Sequence, residues 1–215
     1  MQLNAGSSGR IYQKIKDELG NLPGEEAHLR MHPRRPSVSS HLAISANGKK
    51  SAVLALFYEH KNTLFGLLTE RQDYDGNHSG QMSFPGGRME EVDTTLHDTA
   101  LRETEEEIGI QQSSVEILGK LTEVYISVSN YVVQPYIGIS KEKPKLVLNE
   151  REVKSVIHFP VEKILTDDAI SLSRIRLPNG VWIKDVPSFI LDEKIVWGAT
   201  ALILNEIREI LLRLK

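Results

Sequence analysis

Three glutamates between residues 93 and 110 have the type and spacing of metal ligands. Glu103 stands three and four residues before Glu106 and Glu107, so a helix would bring all three carboxylates into one patch. Like charges repel in such a patch, and the C-terminal end of a helix disfavours anions. An isolated run of glutamates is usually a solvated acidic face. Here an otherwise regular segment both gathers like charges and places them at the C-terminal end of a helix. This conflict favours a functional site, in which a divalent cation such as Mg²⁺ would relieve the repulsion between the carboxylates.

The residues around these glutamates predict the helix that positions them. Asp93 is a good N-cap, and Gly109 stands where a glycine commonly follows the last turn. The stripe expected to face the core consists of Leu101, Thr104 and Ile108. Arg102 lies four residues from both Asp98 and Glu106, so we expect it chiefly to orient the acidic side chains.

Strand and turn patterns surround this helix. Five strands are predicted, at residues 51–58, 63–71, 115–129, 130–140 and 153–159. Residues 72–83 are polar and predict a loop, and Asn179-Gly180 predicts a hairpin turn between two further strands. Amphipathic helices are predicted over residues 10–22 and 197–214. Because no regular βαβ alternation is present, the pattern predicts an α+β protein with mixed or antiparallel sheets.

Composition excludes several classes of function. The chain has 215 residues, no cysteine and a net charge of −3. Without cysteine there are no disulfides and no thiolate chemistry, and this charge provides no broad basic field for nucleic acid or an anionic membrane. No apolar run reaches the length of a membrane span, and the N-terminus lacks the apolar core of a signal peptide. We therefore expect a cytoplasmic protein that binds neither nucleic acid nor membrane.

The segment GRMEEVDTTLHDTALRETEEEIGI, which begins at Gly87, resembles the Nudix box. The Arg-Glu-x-x-Glu-Glu-x-Gly core of that box is complete as Arg102, Glu103, Glu106, Glu107 and Gly109. In the first half the earlier glutamate of the family is absent, Asp93 stands nearby, and the spacing to Arg102 is one residue longer. With an aspartate at this place, the segment resembles the coenzyme A pyrophosphatase-like branch of the Nudix hydrolases.

A second signature of the same branch lies upstream. It consists here of Leu67, Leu68, Thr69, Arg71, His78, Gly80, Gln81, Phe84, Pro85, Gly86 and Gly87. Two positions depart from it, since Gln72 replaces a small residue and Gly76 stands where an arginine is common. The resemblance implies a Nudix fold, with mixed β-sheets sandwiched between helices. We assign residues 46–215 to this domain with its C-terminal helix, and residues 1–45 to an N-terminal helix and extended arm.

The resemblance also implies how a metal ion would be held. Glu103, Glu106 and Glu107 would bind Mg²⁺ or Mn²⁺, with a backbone carbonyl of Gly87 as a further ligand. Gly86 and Gly87 would lie close to the substrate diphosphate, because glycine lets the backbone approach a ligand. An ordinary tight turn is the alternative interpretation of these two glycines.

Further roles follow from the resemblance. A base must take the proton of the attacking water, and the candidates are Glu103 and the loop glutamates Glu150 and Glu152, with Glu152 included among the predicted catalytic residues together with Arg102. Arg71 and His78 are predicted to contact substrate. For Arg71 a salt bridge that orients the acidic helix is the alternative, and for His78 a hydrogen bond within its loop.

The implied function is metal-dependent hydrolysis of a nucleoside diphosphate linkage. Coenzyme A or acyl-CoA would be split into 3′,5′-ADP and phosphopantetheine or its acyl form. ADP-ribose, NADH or another nucleoside diphosphate derivative is the alternative substrate. A non-catalytic Nudix ligand-binding protein is a third interpretation, although such a protein would be expected to lose glutamates of the box. The expected partner is a small nucleotide, and the family makes a homodimer an expectation.

Overall fold

The computed structural model describes residues 8–32, 47–73 and 79–215. The helices in these ranges are α1 (Ser8–Glu18), α2 (Gly24–Met31), α3 (Leu96–Ile108) and α4 (Gly198–Leu212). The strands of the larger sheet are β1 (Lys49–His60), β2 (Thr63–Arg71), β3 (Met82–Ser83), β4 (Gly86–Arg88), β5 (Val115–Lys120), β6 (Val124–Ile126), β7 (Tyr131–Ser140) and β8 (Val153–Pro160). A smaller sheet contains β9 (Ile170–Arg176), β10 (Trp182–Leu191) and β11 (Lys194–Val196). Short 3-10 helices lie between α3 and β5, at Gln112–Ser114, and between β8 and β9, at Val161–Ile164.

The larger sheet is mixed. Its strand order is β3-β2-β1-β7-β5, with β4 also paired to β1, β6 to β7 and β8 to β2. Strands β1 and β7 run parallel, with Lys49 opposite Tyr131 and Tyr58 opposite Ser140, while the other pairs are antiparallel. The predicted α+β class with mixed strand directions is therefore confirmed.

Strand β1 separates two apolar cores, because alternate side chains of a strand point to opposite faces of its sheet. The core beneath α3 contains Leu54, Leu56, Ala100, Leu101 and Ile108. The core on the other face contains Ile15, Met31, Ala55, Phe57 and Ile207, contributed by α1, α2, β1 and α4. The sheet thus lies between the glutamate helix on one side and the N- and C-terminal helices on the other.

Helix α3 begins later than the sequence predicted. Its N-cap is Thr95, whose hydroxyl accepts the Asp98 amide at 3.3 Å while the Asp98 carboxylate accepts the Thr95 amide at 2.8 Å. The prediction of Asp93 as the N-cap is wrong, because Arg102 binds its carboxylate instead. The helix ends at Gly109 as predicted, with a φ of 75°. Its predicted core stripe, Leu101, Thr104 and Ile108, is buried.

Several shorter elements also differ from the prediction. Residues 115–129 form two strands rather than one, because the chain leaves the sheet after Lys120 and returns at Val124. Residues 72–83 end in the short strand β3 instead of remaining a loop. Helix α2 and strand β11, with eight and three residues, were not predicted, since elements so short are stabilised by tertiary packing rather than by local pattern.

The remaining local predictions are confirmed. Asn179-Gly180 forms the turn between β9 and β10, where Gly180 has a φ of 82° and the Leu177 amide donates to the Val181 carbonyl at 2.8 Å. The two predicted amphipathic helices are α1, which ends at Glu18 rather than at residue 22, and α4. No helix within the described ranges is both long and apolar enough to cross a membrane.

The N-terminal helices pack directly on the main body of the protein. Ile15 of α1 and Met31 of α2 are each 3% exposed and belong to the core that also contains α4. Residues 1–7 and 33–46 lie outside the described ranges. The assignment of residues 1–45 to a helix and extended arm, and of residues 46–215 to the catalytic domain, stays a prediction.

Candidate active site

Gly86 and Gly87 lie in β4, which follows β2 and β3 along the chain and pairs with the N-terminal half of β1. The Thr69 hydroxyl in β2 donates to the Ser83 carbonyl at 3.1 Å, which holds β3 against β2. Strand β4 then pairs with β1, with Gly86 opposite Val53. Gly86 and Gly87 are therefore part of the sheet rather than an ordinary tight turn, and α3 packs directly over them.

Gly86 occupies a position that a larger residue could not take, and Gly87 lies close to a helix side chain. Gly86 has a φ of 146°, and a Cβ there would overlap the Ala52 carbonyl oxygen of β1. A Cβ at Gly87 would overlap the carboxylate of Glu103. The close approach of helix and strand thus brings a glutamate side chain into contact with the backbone from which a carbonyl ligand was predicted.

Glu107 lies at the bottom of the site and is 3% exposed. One carboxylate oxygen accepts the Gly86 amide at 3.2 Å, and the other lies 4.0 Å from Nη1 of Arg71. Burial raises the pKa of Glu107 to about 7, although the Arg71 charge and the Gly86 amide both lower it. This carboxylate is poorly compensated as an anion, and a positive charge placed beside it would be strongly favoured.

Glu103 is the second glutamate of the site and contacts Arg102 Nη2 at 3.0 Å. Burial raises the pKa of Glu103; Arg102 lowers it, and the charges of Glu106 and Glu152 raise it further. Glu152 likewise adds to the negative field at Glu107. Three acidic residues from helix α3 and one from the loop before β8 therefore act on one another.

Arg102 connects the segment before the acidic helix to the C-terminal part of that helix. Its Nε and Nη2 donate to the two oxygens of Asp93 at 2.8 and 2.9 Å, and its Nη1 donates to Glu106 at 2.9 Å. The bonds from Arg102 lower the pKa of Asp93 to about 2, although burial raises it. Asp93 also accepts the Glu90 amide and the Thr99 hydroxyl, at 2.9 and 3.0 Å. Sequence reasoning missed this role of Asp93, because nine residues separate it from Arg102.

The guanidinium of Arg71 enters the site from the end of β2. Its Nε atom is buried and has no hydrogen-bond partner in the described part of the chain. An exposed fraction of 33% leaves part of the side chain open to solvent. The 4.0 Å separation from Glu107 is a loose ion pair, so the predicted contact of Arg71 with a phosphate stays a prediction supported by an unused donor. His78 lies outside the described residues.

Glu150 and Glu152 lie on an exposed loop that reaches the C-terminal end of α3. The Asn149 amide donates to the Glu107 carbonyl at 2.9 Å, which ties this loop to the site. Glu152 is the loop glutamate whose charge acts on both Glu103 and Glu107. The structure therefore brings this candidate base near the glutamate patch.

The donor set of the patch suits a hard divalent cation. Carboxylate and backbone carbonyl oxygens are the ligands that Mg²⁺ and Mn²⁺ prefer. Within residues 8–32, 47–73 and 79–215, no three acidic or histidine side chains are gathered closely enough to enclose an ion, and Arg102 holds both Glu103 and Glu106. Binding would exchange these contacts for bonds to the ion. The metal-ligand roles of Glu103, Glu106, Glu107 and Gly87 stay predictions.

Comparison with known proteins agrees with this arrangement. A family model described as the NUDIX domain matches residues 48–177, which is more than half of the chain. A protein of Yersinia pestis (strain Pestoides F) named "Uncharacterized Nudix hydrolase NudL" is 32% identical over 174 residues, covering 79% of this chain and 83% of the relative.

Two solved structures share the fold at low sequence identity. The Nudix hydrolase RenU from M. smegmatis has a TM-score of 0.54 and 16% identity, over 78% of this chain and 88% of its own. A MutT/nudix family protein from Enterococcus faecalis has a TM-score of 0.53 and 18% identity, over 87% of this chain and 73% of its own.

The chain therefore belongs to the Nudix family and is a Nudix hydrolase. The predicted Nudix fold, α+β with a mixed sheet between helices, is confirmed. Enzymes of this family hydrolyse nucleoside diphosphate derivatives, bind small nucleotides and generally use divalent metal ions. The predicted homodimer stays a prediction.

Proposed function

We propose that this enzyme hydrolyses the diphosphate linkage of coenzyme A or acyl-CoA, giving 3′,5′-ADP and phosphopantetheine or acyl-phosphopantetheine. The observation that carries the diphosphate chemistry is the buried Glu107 carboxylate, which has one amide donor and a distant arginine. Support for coenzyme A comes from two sequence segments similar to that branch, at residues 67–71 and 78–87. The described parts of both segments lie side by side, through the pairing of Thr69 with Ser83.

The chain's own residues divide the work of hydrolysis. Glu103, Glu106, Glu107 and the Gly87 carbonyl would hold Mg²⁺ or Mn²⁺, which when bound neutralises diphosphate charge and lowers the pKa of water. Arg71 donates from its guanidinium to a phosphoryl oxygen. A water oxygen attacks phosphorus, the bridging P–O bond breaks, and Glu152 takes the water proton on a carboxylate oxygen. Arg102 orients Glu103 and Glu106 before the ion binds.

A substrate panel tests this proposal. Purified protein is incubated with Mg²⁺, and separately with Mn²⁺, in the presence of coenzyme A, acetyl-CoA, ADP-ribose, NADH or dNTPs, and the products are resolved by chromatography. The expected result is the highest kcat/KM for a coenzyme A thioester or coenzyme A, with 3′,5′-ADP as a product. Preference for ADP-ribose or NADH would contradict the coenzyme A assignment. Hydrolysis of these compounds is the second candidate function, because Gly76 stands in place of the usual arginine. No turnover of any compound would contradict catalysis and favour a ligand-binding protein.

A further inference from the structure

The loop from Val147 to Val153 is fastened to helix α3 by its backbone. The Val147 amide donates to the Ile108 carbonyl at 3.0 Å, and the Asn149 amide donates to the Glu107 carbonyl at 2.9 Å. These carbonyls belong to the last turn of α3, where a helix leaves acceptors without partners of its own. The loop therefore completes the end of the helix that carries the acidic patch.

The end of strand β2 holds the same loop from the other side. The backbone amide of Gln72 donates to the Glu152 carbonyl at 2.8 Å, and its side-chain Nε2 donates to the Glu150 carbonyl at 2.7 Å. A small residue at position 72, as in the coenzyme A-type signature, could not make the second bond. Gln72, which follows Arg71 directly, thus links the loop to the strand that carries the arginine of the site.

Within this loop the Asn149 side chain makes two hydrogen bonds, one as an acceptor and one as a donor. Its Oδ1 accepts the Arg151 amide at 3.2 Å, and its Nδ2 donates to Oε1 of Glu152 at 3.1 Å. A backbone N–H only donates and a carboxylate only accepts, so both contacts agree on one orientation of the side-chain amide. The Asn149 carbonyl also accepts the Glu152 and Val153 amides, at 3.0 and 2.9 Å. One residue therefore sets both the turn and the direction of the glutamate side chain.

We propose that Asn149 is a positioning residue for the reaction. It holds one oxygen of the Glu152 carboxylate and leaves the other to accept the proton of the attacking water. Gln72 keeps the loop in register with the glutamate patch while this happens. The inference rests on the proposed function, because it assigns the proton acceptor of that same hydrolysis.

A second asparagine provides a matched control. Asn179, in the turn between β9 and β10, accepts the Val181 amide on its Oδ1 at 3.1 Å, which is the bond that Asn149 makes to Arg151. Its side chain is exposed and makes no bond to a carboxylate in the described part of the chain. Serine at either position keeps a short oxygen acceptor for the turn and removes the amide donor.

The experiment compares steady-state kinetics of Asn149→Ser and Asn179→Ser, alone and with Glu152→Gln. General-base catalysis is worth about 10²–10⁴-fold, so partial loss of orientation in Asn149→Ser is expected to lower kcat by roughly tenfold at unchanged KM. Asn179→Ser should keep the wild-type kcat. In the Glu152→Gln background, Asn149→Ser should lower kcat no further, because its effect passes through the carboxylate.

Other outcomes overturn the role of Asn149. An equal loss in both backgrounds, or a change confined to KM, would show that Asn149 acts on something other than Glu152. If Asn149→Ser unfolds, the Asn149→Asp variant replaces it, since it keeps the acceptor and repels Glu152; a wild-type kcat would then contradict the proposal. NMR tests the contact independently of activity. The Glu152→Gln substitution should change the chemical shift of the Asn149 side-chain amide, and an unchanged chemical shift would refute the contact. An inactive wild type overturns the proposed function together with this role, whereas an active wild type with equal losses overturns this role alone.

Discussion

Glu107 and Glu206 are glutamates buried to a similar degree, at 3% and 0% exposure, yet their surroundings differ. Glu206 of α4 accepts the Thr122 hydroxyl at 2.6 Å and the Thr122 and Gly24 amides at 3.2 and 3.3 Å, and lies 3.2 Å from Nε2 of His28. Glu107 has the Gly86 amide and a loose ion pair with Arg71.

We infer from this difference that Glu206 is a structural carboxylate and Glu107 a functional one. A buried charge is tolerated when hydrogen-bond donors surround it, and is costly when they do not. Glu206 accepts hydrogen bonds from α2 and from the segment before β6, so its carboxylate joins both to α4. Glu107 lacks enough donors, and we infer that a metal ion supplies the compensation. Four measurements would break or sharpen this contrast.

The largest expected effect is on the activity of a Glu107→Gln variant. Loss of a predicted metal ligand should lower kcat/KM by about a thousandfold, or about 4 kcal/mol at 1.36 kcal/mol per factor of ten. The free energy of unfolding should stay the same or rise, because an uncompensated buried charge is removed. Kinetics and urea unfolding measure the two quantities. Glu105→Gln, on the same helix, is the control and should keep the wild-type rate.

Glu206→Gln should show the opposite behaviour. An amide places an N–H₂ group among the donors that now bond to the carboxylate, so the variant should lose about 3 kcal/mol of unfolding free energy. Its kcat should match that of the wild type at temperatures where it is folded. Urea unfolding followed by circular dichroism measures the loss. A change below about 0.5 kcal/mol, the size of a typical surface substitution, would contradict the structural role.

Asp93 is a third buried carboxylate and extends the comparison to pH. Its pKa falls from an ordinary value of 3.8 to about 2, so the folded state favours the ionised form. The resulting stabilisation, about 2 kcal/mol, is complete well above pH 3.8 and is lost as pH falls towards 2. The difference in unfolding free energy between wild type and Asp93→Asn should therefore shrink as pH is lowered from 6 to 2.5. A difference that stays constant over this range would contradict the Arg102 bond as its origin.

The smallest expected effect is the stabilisation of the folded protein by bound Mg²⁺. Mg²⁺ at about ten times its dissociation constant should add about 1.4 kcal/mol of stability, which corresponds to about 3–5 °C in the unfolding midpoint. Differential scanning fluorimetry should show this rise for wild type and for Glu206→Gln. The Glu107→Gln variant should show little or none. An equal rise in all three proteins would place the ion elsewhere.

The comparison also shows what the sequence could reveal. Glu103, Glu106 and Glu107 were found because their spacing on one helix is local and their repulsion is visible without any structure. Glu206 stands in an amphipathic helix like many surface glutamates, and its donors come from distant positions: Gly24, His28 and Thr122. No spacing rule connects such residues.

Other site features divide in the same way. The close fit of Gly87 against Glu103 has no local signal beyond the resemblance to a known motif. The position of Asp93 just before the helix predicts a cap, yet the Thr95–Asp98 pair forms the cap and Arg102 binds the aspartate. The fold class, the acidic helix and the contact of Arg102 with Glu106 could be predicted, whereas the partners of Asp93, Glu107 and Glu206 required the three-dimensional arrangement.

The parallel pairing of β1 with β7 has a consequence for synthesis on the ribosome. Strand β1 forms the floor beneath the glutamate helix, but its partner on one side is translated only after residues 61–130 have emerged. Pairing between strands so far apart in the chain is slow, because the loop between them must close first. The Asn149 loop emerges later still. The nascent hydrolase therefore carries its acidic helix before β7 and the Asn149 loop have been translated, and its active site is complete only after both have joined it.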